Sequence, residues 1–444
     1  MLPESVEVWG KVASCDGARL CVDGLGGIAR LGDRLALGQH GPEAEVIALE
    51  GPHTIALLAT PGDGIAMGQQ AYLVRAAPVF PSGDWCGQVL DADARGSDGA
   101  PPASGTKEAP LRRAPPPGAE RRALGARLET GVAAFDAALP LCRGQRLGIF
   151  AGSGVGKTLL LRHLADSVAA DVVVIALIGE RGREVGEFLH TTMSGSAAGR
   201  TVAIAETSDA APTRKRRAAW LAMSVAEHFR DEGAHVLLLM DSVTRFAEAH
   251  RDAALAAGEL PALRGFPAST AGTVAALCER AGPGRHGSSG DITAIFTVLV
   301  QGSDLDEPIA DLLRGTLDGH VVLDRGIAER GRFPAIDLAR SLSRSAPAAW
   351  SEDEAALAAA LRASIAQREE VLPMVRAGLH VPGADSAADA ALAAFPALDA
   401  FLGRLEPAPA AGWAFDALGK LLPKAPVHHA ASRSDAAGTR GSPG

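Results

Sequence analysis

The sequence predicts an α/β protein with a parallel-sheet core, preceded by a small N-terminal β-barrel or sandwich and followed by a C-terminal helical domain. Three observations predict it. Short, glycine-broken strands crowd residues 1 to about 80. From about Ala126 to Ala346, apolar strands alternate with helical runs, the pattern of a sheet covered on both faces. From Ser351 to about Leu422 the chain is rich in alanine and leucine at helical spacing. A length of 444 residues suits about three domains.

The expected barrel domain covers 1–90. Its strand-like runs include Val6–Val12, Arg19–Val22, Glu45–Leu49 and His53–Leu58, and close spacing with turn residues suggests a barrel or sandwich. Residues 91–125 contain Pro101-Pro102 and Pro115-Pro116-Pro117 among Gly, Ala and Ser, and read as a linker or extended crossing. The core, 126–346, carries Arg146–Phe150, Lys157–Ala169, Val172–Ile178, Thr201–Glu206, Ala218–Glu232, His235–Met240 and Ile292–Val300. Helices are expected over 347–424 and a disordered tail over 425–444.

Composition excludes several classes. The chain is 47% hydrophobic and 21% charged, which rules out a wholly disordered or collagen-like protein. Its net charge of −9 and 4% aromatic content argue against a mainly nucleic-acid-binding protein. The five cysteines, Cys15, Cys21, Cys86, Cys142 and Cys278, are odd in number and contain no C-x-x-C. They signal neither a disulfide framework nor a zinc site. The first ten residues lack a basic patch followed by an apolar stretch, so no signal peptide is expected. Apolar runs such as Val236–Met240 fall far short of the roughly 20 residues of a membrane helix. A cytoplasmic location is expected.

The strongest chemical signal is Arg146-Leu-Gly-Ile-Phe-Ala-Gly-Ser-Gly-Val-Gly-Lys-Thr-Leu-Leu-Leu161. An apolar strand enters a glycine-rich loop and a good helix leaves it. Gly152, Gly154 and Gly156 let backbone N–H groups face a phosphate chain, and the helix adds its positive end. Ala151, Ser153 and Val155 complete the cradle. Lys157 is placed to reach the β- and γ-phosphates of ATP, and Thr158 to hold Mg²⁺. Ala151 stands where the usual G-x-x-x-x-G-K-[ST] pattern has glycine, which a small residue tolerates if its φ is negative.

Two carboxylates follow. His235-Val-Leu-Leu-Leu-Met-Asp241 is a buried strand delivering Asp241 to its C-terminal edge, where it orients Mg²⁺. The plainer alternative is a helix cap. Glu180, in Ile178-Gly-Glu-Arg-Gly-Arg-Glu-Val185, lies just past another strand's carboxyl end, where open α/β sheets bind ligands. A carboxylate there polarises the attacking water. A solvated charge run, with Arg181, Arg183 and Glu184, is the alternative.

With Asp241-Ser-Val-Thr-Arg-Phe-Ala-Glu-Ala-His-Arg251, these motifs resemble the catalytic subunits of rotary F/V-type ATPases and their secretion relatives. Gly179-Glu-Arg-Gly-Arg-Glu-Val185, Glu307-Pro-Ile-Ala-Asp311, Leu317-Asp-Gly-His-Val-Val-Leu323 and Glu329-Arg-Gly-Arg-Phe-Pro-Ala-Ile-Asp337 narrow the likeness to flagellar protein-export ATPases of the type III secretion family. The resemblance is specific from about Arg127 to Ser345. It implies a RecA-like P-loop core and an ATP hydrolase of the protein-secreting or H⁺-transporting type. It places Lys157 and Thr158 on phosphate and Mg²⁺, Glu180 on the water with Arg181 beside it, and Asp241 near Mg²⁺. Arg344 matches the arginine finger supplied by a neighbouring subunit. Phe333 matches the aromatic on adenine, the alternative being a core phenylalanine. The implied assembly is a homohexamer at the cytoplasmic face of the inner membrane, bound peripherally through export-gate proteins. Its implied partners also include a stator-like regulator, a central-stalk protein and chaperone–substrate complexes.

The chain departs from the family at Ala268 and Ala271, in Phe266-Pro-Ala-Ser-Thr-Ala271, at Gln301, commonly acidic, and at His380, where a tyrosine is expected near the nucleotide edge. Other readings compete. A ring-shaped RNA translocase of the transcription-termination type shares the fold, but its N-terminal domain needs basic residues and stacking aromatics. Residues 1–106 hold 13 acidic against 6 basic residues, a net of −7. Up to residue 80 the aromatics are Trp9, Tyr72 and Phe80, and the arginines 112, 113, 121 and 122 lie in the linker. No nucleic-acid partner is expected. A β-type subunit of a proton-driven ATP synthase needs a non-catalytic partner subunit. A non-catalytic scaffold is disfavoured by Lys157, Glu180 and Asp241. Between a flagellum and a needle-like injector, the reading leans to the flagellum.

Overall fold

The computed structural model describes residues 7–422, apart from 39–40, 61–63, 76, 288–289 and 301–303. The expected tail therefore lies outside the described residues, as does Gln301.

Six strands close a barrel in the order β1-β2-β5-β4-β3-β6. They are β1 (Trp9–Asp16), β2 (Arg19–Asp23), β3 (Arg34–Leu37), β4 (Glu43–Glu50), β5 (His53–Leu58) and β6 (Gln70–Val74). Alternation sends Leu20 and Val22, Leu35 and Leu37, and Ala44 and Val46 into its interior. β3 and β6 are strands additional to the runs singled out from sequence.

β7 (Val89–Leu90) leaves the barrel and pairs in parallel with Ala203–Ile204 at the edge of the central sheet. The expected barrel range of 1–90 thus ends inside the next layer. Residues 91–125 are not a free linker. They run over the core as a strap, pinned where Arg121 donates to the carbonyls of Pro116 and Ala281 and Arg122 pairs with Asp291 at 2.7 Å.

A short ribbon of β8 (Arg127–Leu128) and β9 (Leu141–Cys142) brackets α1 (Ala133–Ala138). The core strands are β10 (Arg146–Ala151), β11 (Val172–Glu180), β12 (Thr201–Thr207), β13 (His235–Asp241), β14 (Gly282–Pro283), β15 (Asp291–Leu299), β16 (Gly319–Leu323) and β17 (Ile336–Ser343). Their order is β17-β16-β10-β15-β13-β11-β12-β7, with β14 beside β15. The expected parallel pairing holds from β16 to β7, whereas β17 and β14 pair antiparallel.

Helices cover both faces: α2 (Lys157–Ser167), α3 (Gly182–Thr192), α4 (Pro212–Asp231), α5 (Val243–Ala256), α6 (Ser269–Glu279), α7 (Pro308–Thr316) and α8 (Arg325–Glu329). Val174, Ala176 and Ile178 of β11 face α4 to α6, while Val173, Ile175 and Leu177 join the other core, with α1, α2 and the C-terminal helices. That two-sided burial is why the strand reads as an unbroken apolar run.

After α9 (Ala346–Ala349), the chain ends in α10 (Glu352–Arg376), α11 (Ser386–Leu402) and α12 (Trp413–Leu421). Ser351 opens α10 with a capping box: its hydroxyl accepts from the Glu354 N–H, and the Glu354 carboxylate accepts from the Ser351 N–H. No described helix is long and apolar enough to cross a membrane.

Candidate active site

The carboxyl ends of β10, β11, β15 and β16 and the start of α5 line a groove of about 1240 Å³, with the end of β13 buried behind it. β10 supplies the phosphate loop. Ala151 is its last residue, paired to Leu299 and Leu323, and needs no left-handed backbone. The missing glycine is therefore harmless. The left-handed bends fall instead at Gly154 (φ 77°) and Gly156 (φ 86°). Gly156 caps α2 without any side-chain cap bond, and α2 has no acid in its first turn. Its first N–H groups are thus free for an anion. All residues from Ala151 to Thr158 line the groove.

Gly156 has a second constraint. A Cβ there meets Phe333 Cδ1 at 2.8 Å. Phe333 is 39% exposed and packs on the loop rather than inside the core, though it is not among the groove's lining residues. Replacing Gly156 with Ala is expected to cost roughly 1–2 kcal/mol in backbone alone and also to displace Phe333. Gly154→Ala meets nothing within 4 Å and carries only the backbone term. Thermal unfolding with and without ADP checks this: both variants unfold earlier, and Gly156→Ala loses more ADP affinity.

Three charged side chains meet under the loop. The Lys157 Nζ donates to Asp241 Oδ1 at 2.5 Å and lies 3.7 Å from Glu180 Oε1. Asp241 is buried at the end of β13, and its Oδ1 also accepts from Thr297 Oγ1 at 2.6 Å. Glu180 stands at the end of β11, and its Oε1 has no hydrogen-bond partner. Burial, then the Asp241 charge, push the Glu180 carboxyl above the usual carboxylate range, while Lys157 and Arg245 pull it back. Glu180 lines the groove, and its enclosed, unpartnered Oε1 keeps acceptor capacity for a water or hydroxyl donor.

Arg245 and Thr297 are functional candidates that the sequence reading left without a role. Gly179 (φ 72°) lets Arg245 close on the strand end, since a Cβ there sits 3.0 Å from Arg245 Cβ. Arg245 is held by Glu248 at 2.8 Å. Its signal was four-residue spacing from Asp241, one helical turn on. The signal for Thr297 was a hydroxyl inside the otherwise apolar Ile292–Val300. Thr158 is exposed on the groove wall, and Arg181 sits at the rim, paired with Glu184 at 3.2 Å.

Arg344 is not brought to this cluster. It is exposed just past β17, donates to the Arg314 carbonyl at 3.2 Å and is not among the groove's lining residues. Ala268 and Ala271 lie exposed at the start of α6. His380 bonds Asp389 at 2.8 Å among the C-terminal helices, away from the groove lining.

The residues fit a Mg-nucleotide: an amide cradle, one cation, a hydroxyl and two carboxylates at one strand edge. Comparison with known proteins agrees. Residues 131–343 match the ATP synthase alpha/beta family nucleotide-binding domain, and 350–404 match the T3SS EscN ATPase C-terminal domain. The flagellum-specific ATP synthase of Agrobacterium fabrum is 43% identical over 423 residues, covering 94% of this chain and 89% of that protein. The assembled ATPase EscN of the enteropathogenic E. coli type III secretion system superposes with a TM-score of 0.85 at 34% identity, over 93% of this chain and 99% of that one. EscN in complex with its central stalk EscO gives 0.80 at 35% identity, over 93% and 99%. The chain therefore belongs to the ATP synthase alpha/beta family, in the branch of type III secretion and flagellum-specific ATPases.

Proposed function

We propose that this protein hydrolyses Mg-ATP to drive type III export, most closely that of flagellar components. The observation that carries this reading is the meeting of Lys157, Glu180 and Asp241 beneath an amide cradle. Lys157 neutralises phosphate charge, and its withdrawal from Asp241 and Glu180 toward bound phosphate frees both carboxylates. Thr158 and Asp241 are the residues that would hold Mg²⁺, which supplies charge neutralisation on the β- and γ-phosphates. Glu180 takes up the attacking water's proton at its unpartnered Oε1. Phe333 packs on the adenine edge, and Arg181 lies beside the water site.

The family resemblance implies a homohexamer, and Arg344, which does not line its own groove, is free to serve a neighbour's. The working location is the cytoplasmic face of the inner membrane, with a central-stalk protein, a stator-like regulator, export-gate proteins and chaperone–substrate complexes as partners. EscN, assembled and stalk-bound, supports the ring and the stalk. An injector-type export system is the second reading, and EscN's own membership of a type III secretion system favours it.

The test is phosphate release by the purified chain with and without polycytidine. The first 106 residues carry a net charge of −7, which repels a nucleic-acid backbone. Turnover is expected to be the same in both arms. A strong, salt-sensitive stimulation by polycytidine sinks the export reading in favour of an RNA translocase. In cells, Lys157→Ala should abolish secretion of appendage subunits.

A further inference from the structure

A second cavity, of about 570 Å³, opens where the barrel meets the core. Its walls come from β4, from the strap at Arg112 and Arg113, and from α4, α5 and α6. It shares no lining residue with the nucleotide groove.

The arginines around it are not equivalent. Arg280 is matched by Glu227 at 2.7 Å, and Arg113 by Asp231 at 2.6 Å. Arg112 and Arg216 share one nearby carboxylate, Glu45 of β4, which is 3.4 Å from Arg216 Nη2. Both guanidiniums lie over the Trp220 ring, at 4.2 Å and 5.4 Å from its centroid. Two cations thus crowd one anion in a poorly solvated place.

Two buried nitrogens there have no hydrogen-bond partner. Arg216 is 7% exposed, and its Nε is buried without a hydrogen-bond partner. His250 is 9% exposed, and its Nδ1 is likewise unpaired. His250 Nε2 lies 2.9 Å from Ser269 Oγ and 3.4 Å from Thr273 Oγ1, hydroxyls able to donate to it. When both hydroxyls donate to Nε2, the ring proton sits on Nδ1, the tautomer that offers a donor to a ligand. Burial, then the charge of Arg216, hold the His250 pKa down to about 4; Glu259, which also lines the cavity, pulls the other way, and Arg112 adds to the lowering. The ring is therefore neutral at pH 7, with one N–H to give. Buried donors left unpaired are costly, and native structures satisfy them with protein, water or ligand.

We propose that this cavity binds a small oxyanion, a phosphate or carboxylate group, held by Arg112, Arg216 and His250 between barrel and core. The anion supplies negative charge beside Arg112 and Arg216, where Glu45 is the one carboxylate acting on both, and it pairs with the enclosed Arg216 Nε and His250 Nδ1 once those side chains turn to meet it. Because Val46 and Ile47 form one wall and α4 to α6 the other, a bound anion ties the barrel to the ATPase core. The site does not rest on the assignment of the nucleotide groove.

The test uses the full chain saturated with Mg-ADP, so that the phosphate loop is filled. Inorganic phosphate and succinate are titrated separately at constant ionic strength, and the unfolding temperature is followed. A ligand of the folded state raises it in a saturable way. Saturation by both probes supports a general oxyanion site, and saturation by phosphate alone supports a phosphoryl site. Arg112 is the exposed member of the pair, so Arg112→Ala disturbs the fold least, which circular dichroism of the variant checks. It should weaken half-saturation roughly tenfold or more, the effect of losing a charged hydrogen-bond partner. Arg112→Lys should fall between the two. A response to neither probe overturns the proposal, leaving a water-filled cavity. A linear rise, or one that Arg112→Ala leaves unchanged, also overturns it, as a general salt effect.

Discussion

Glu180→Gln should bind Mg-ATP with nearly unchanged affinity and hydrolyse it about 10²–10⁴-fold more slowly, the usual loss when a general base is removed. The amide keeps the shape of the side chain but cannot take a proton. Lys157→Ala should behave differently. It removes the cation 2.5 Å from Asp241 and 3.7 Å from Glu180, so two carboxylates then face the phosphates uncompensated. Nucleotide affinity falls together with turnover. Fluorescent-nucleotide titration and single-turnover phosphate release separate the two effects. Wild-type turnover in Glu180→Gln would remove Glu180 from the role of base. The pH profile adds a sign. The Glu180 carboxyl is raised, first by burial and then by Asp241, and the base works only when ionised. The acid limb of kcat/KM should therefore fall below a pKa higher than the ordinary carboxylate value, as pH drops. Glu180→Gln should lack that limb.

The sequence made much of this site legible because it is built from local signals. The phosphate loop is contiguous, and its strand and helix flank it directly. Asp241 and Glu180 each end an unbroken apolar strand, so their convergence follows from parallel pairing of β10, β15, β13 and β11. What stayed hidden depends on long-range placement. Thr297 reaches Asp241 from a strand 56 positions away, and nothing local distinguishes it from a threonine satisfied in a strand. Arg245 was visible as a residue but not as a neighbour of Gly179, because that approach depends on a positive φ. The two barrel strands not singled out, β3 and β6, are four and five residues long, too short for periodicity to mark. Val89–Leu90 joined the core sheet for the same reason: two residues carry no pattern, and only the edge of β12 decides their partner. The strap over 91–125 reads as linker by composition, yet arginines fix it through contacts about 160 residues distant, such as Arg121 to Ala281.

Arg344→Ala should bind nucleotide normally and lose roughly 10³–10⁵ in turnover, the worth of an arginine that stabilises charge on a transferring phosphoryl group. The structure gives Arg344 no role in its own groove. Its side chain is exposed past β17 and rests on the Arg314 carbonyl at 3.2 Å, while Lys157, Glu180 and Asp241 gather at the opposite end of the strands' connections. If Arg344 is the finger proposed above, one chain that carries both base and finger completes its sites by pairing with a second copy. A head-to-tail contact of this kind builds a ring of identical subunits when its rotation closes. Activity per subunit should therefore rise steeply with protein concentration, and a dilute chain should be nearly inactive although it still binds ATP. The decisive measurement mixes two inactive variants, Glu180→Gln and Arg344→Ala. In a random one-to-one ring, about a quarter of the interfaces join an intact Glu180 to an intact Arg344. Turnover should return toward that fraction of wild type, far above either variant alone. If the variants co-assemble and mixing restores nothing, or if the dilute monomer turns over at full rate, Arg344 does not act across the interface.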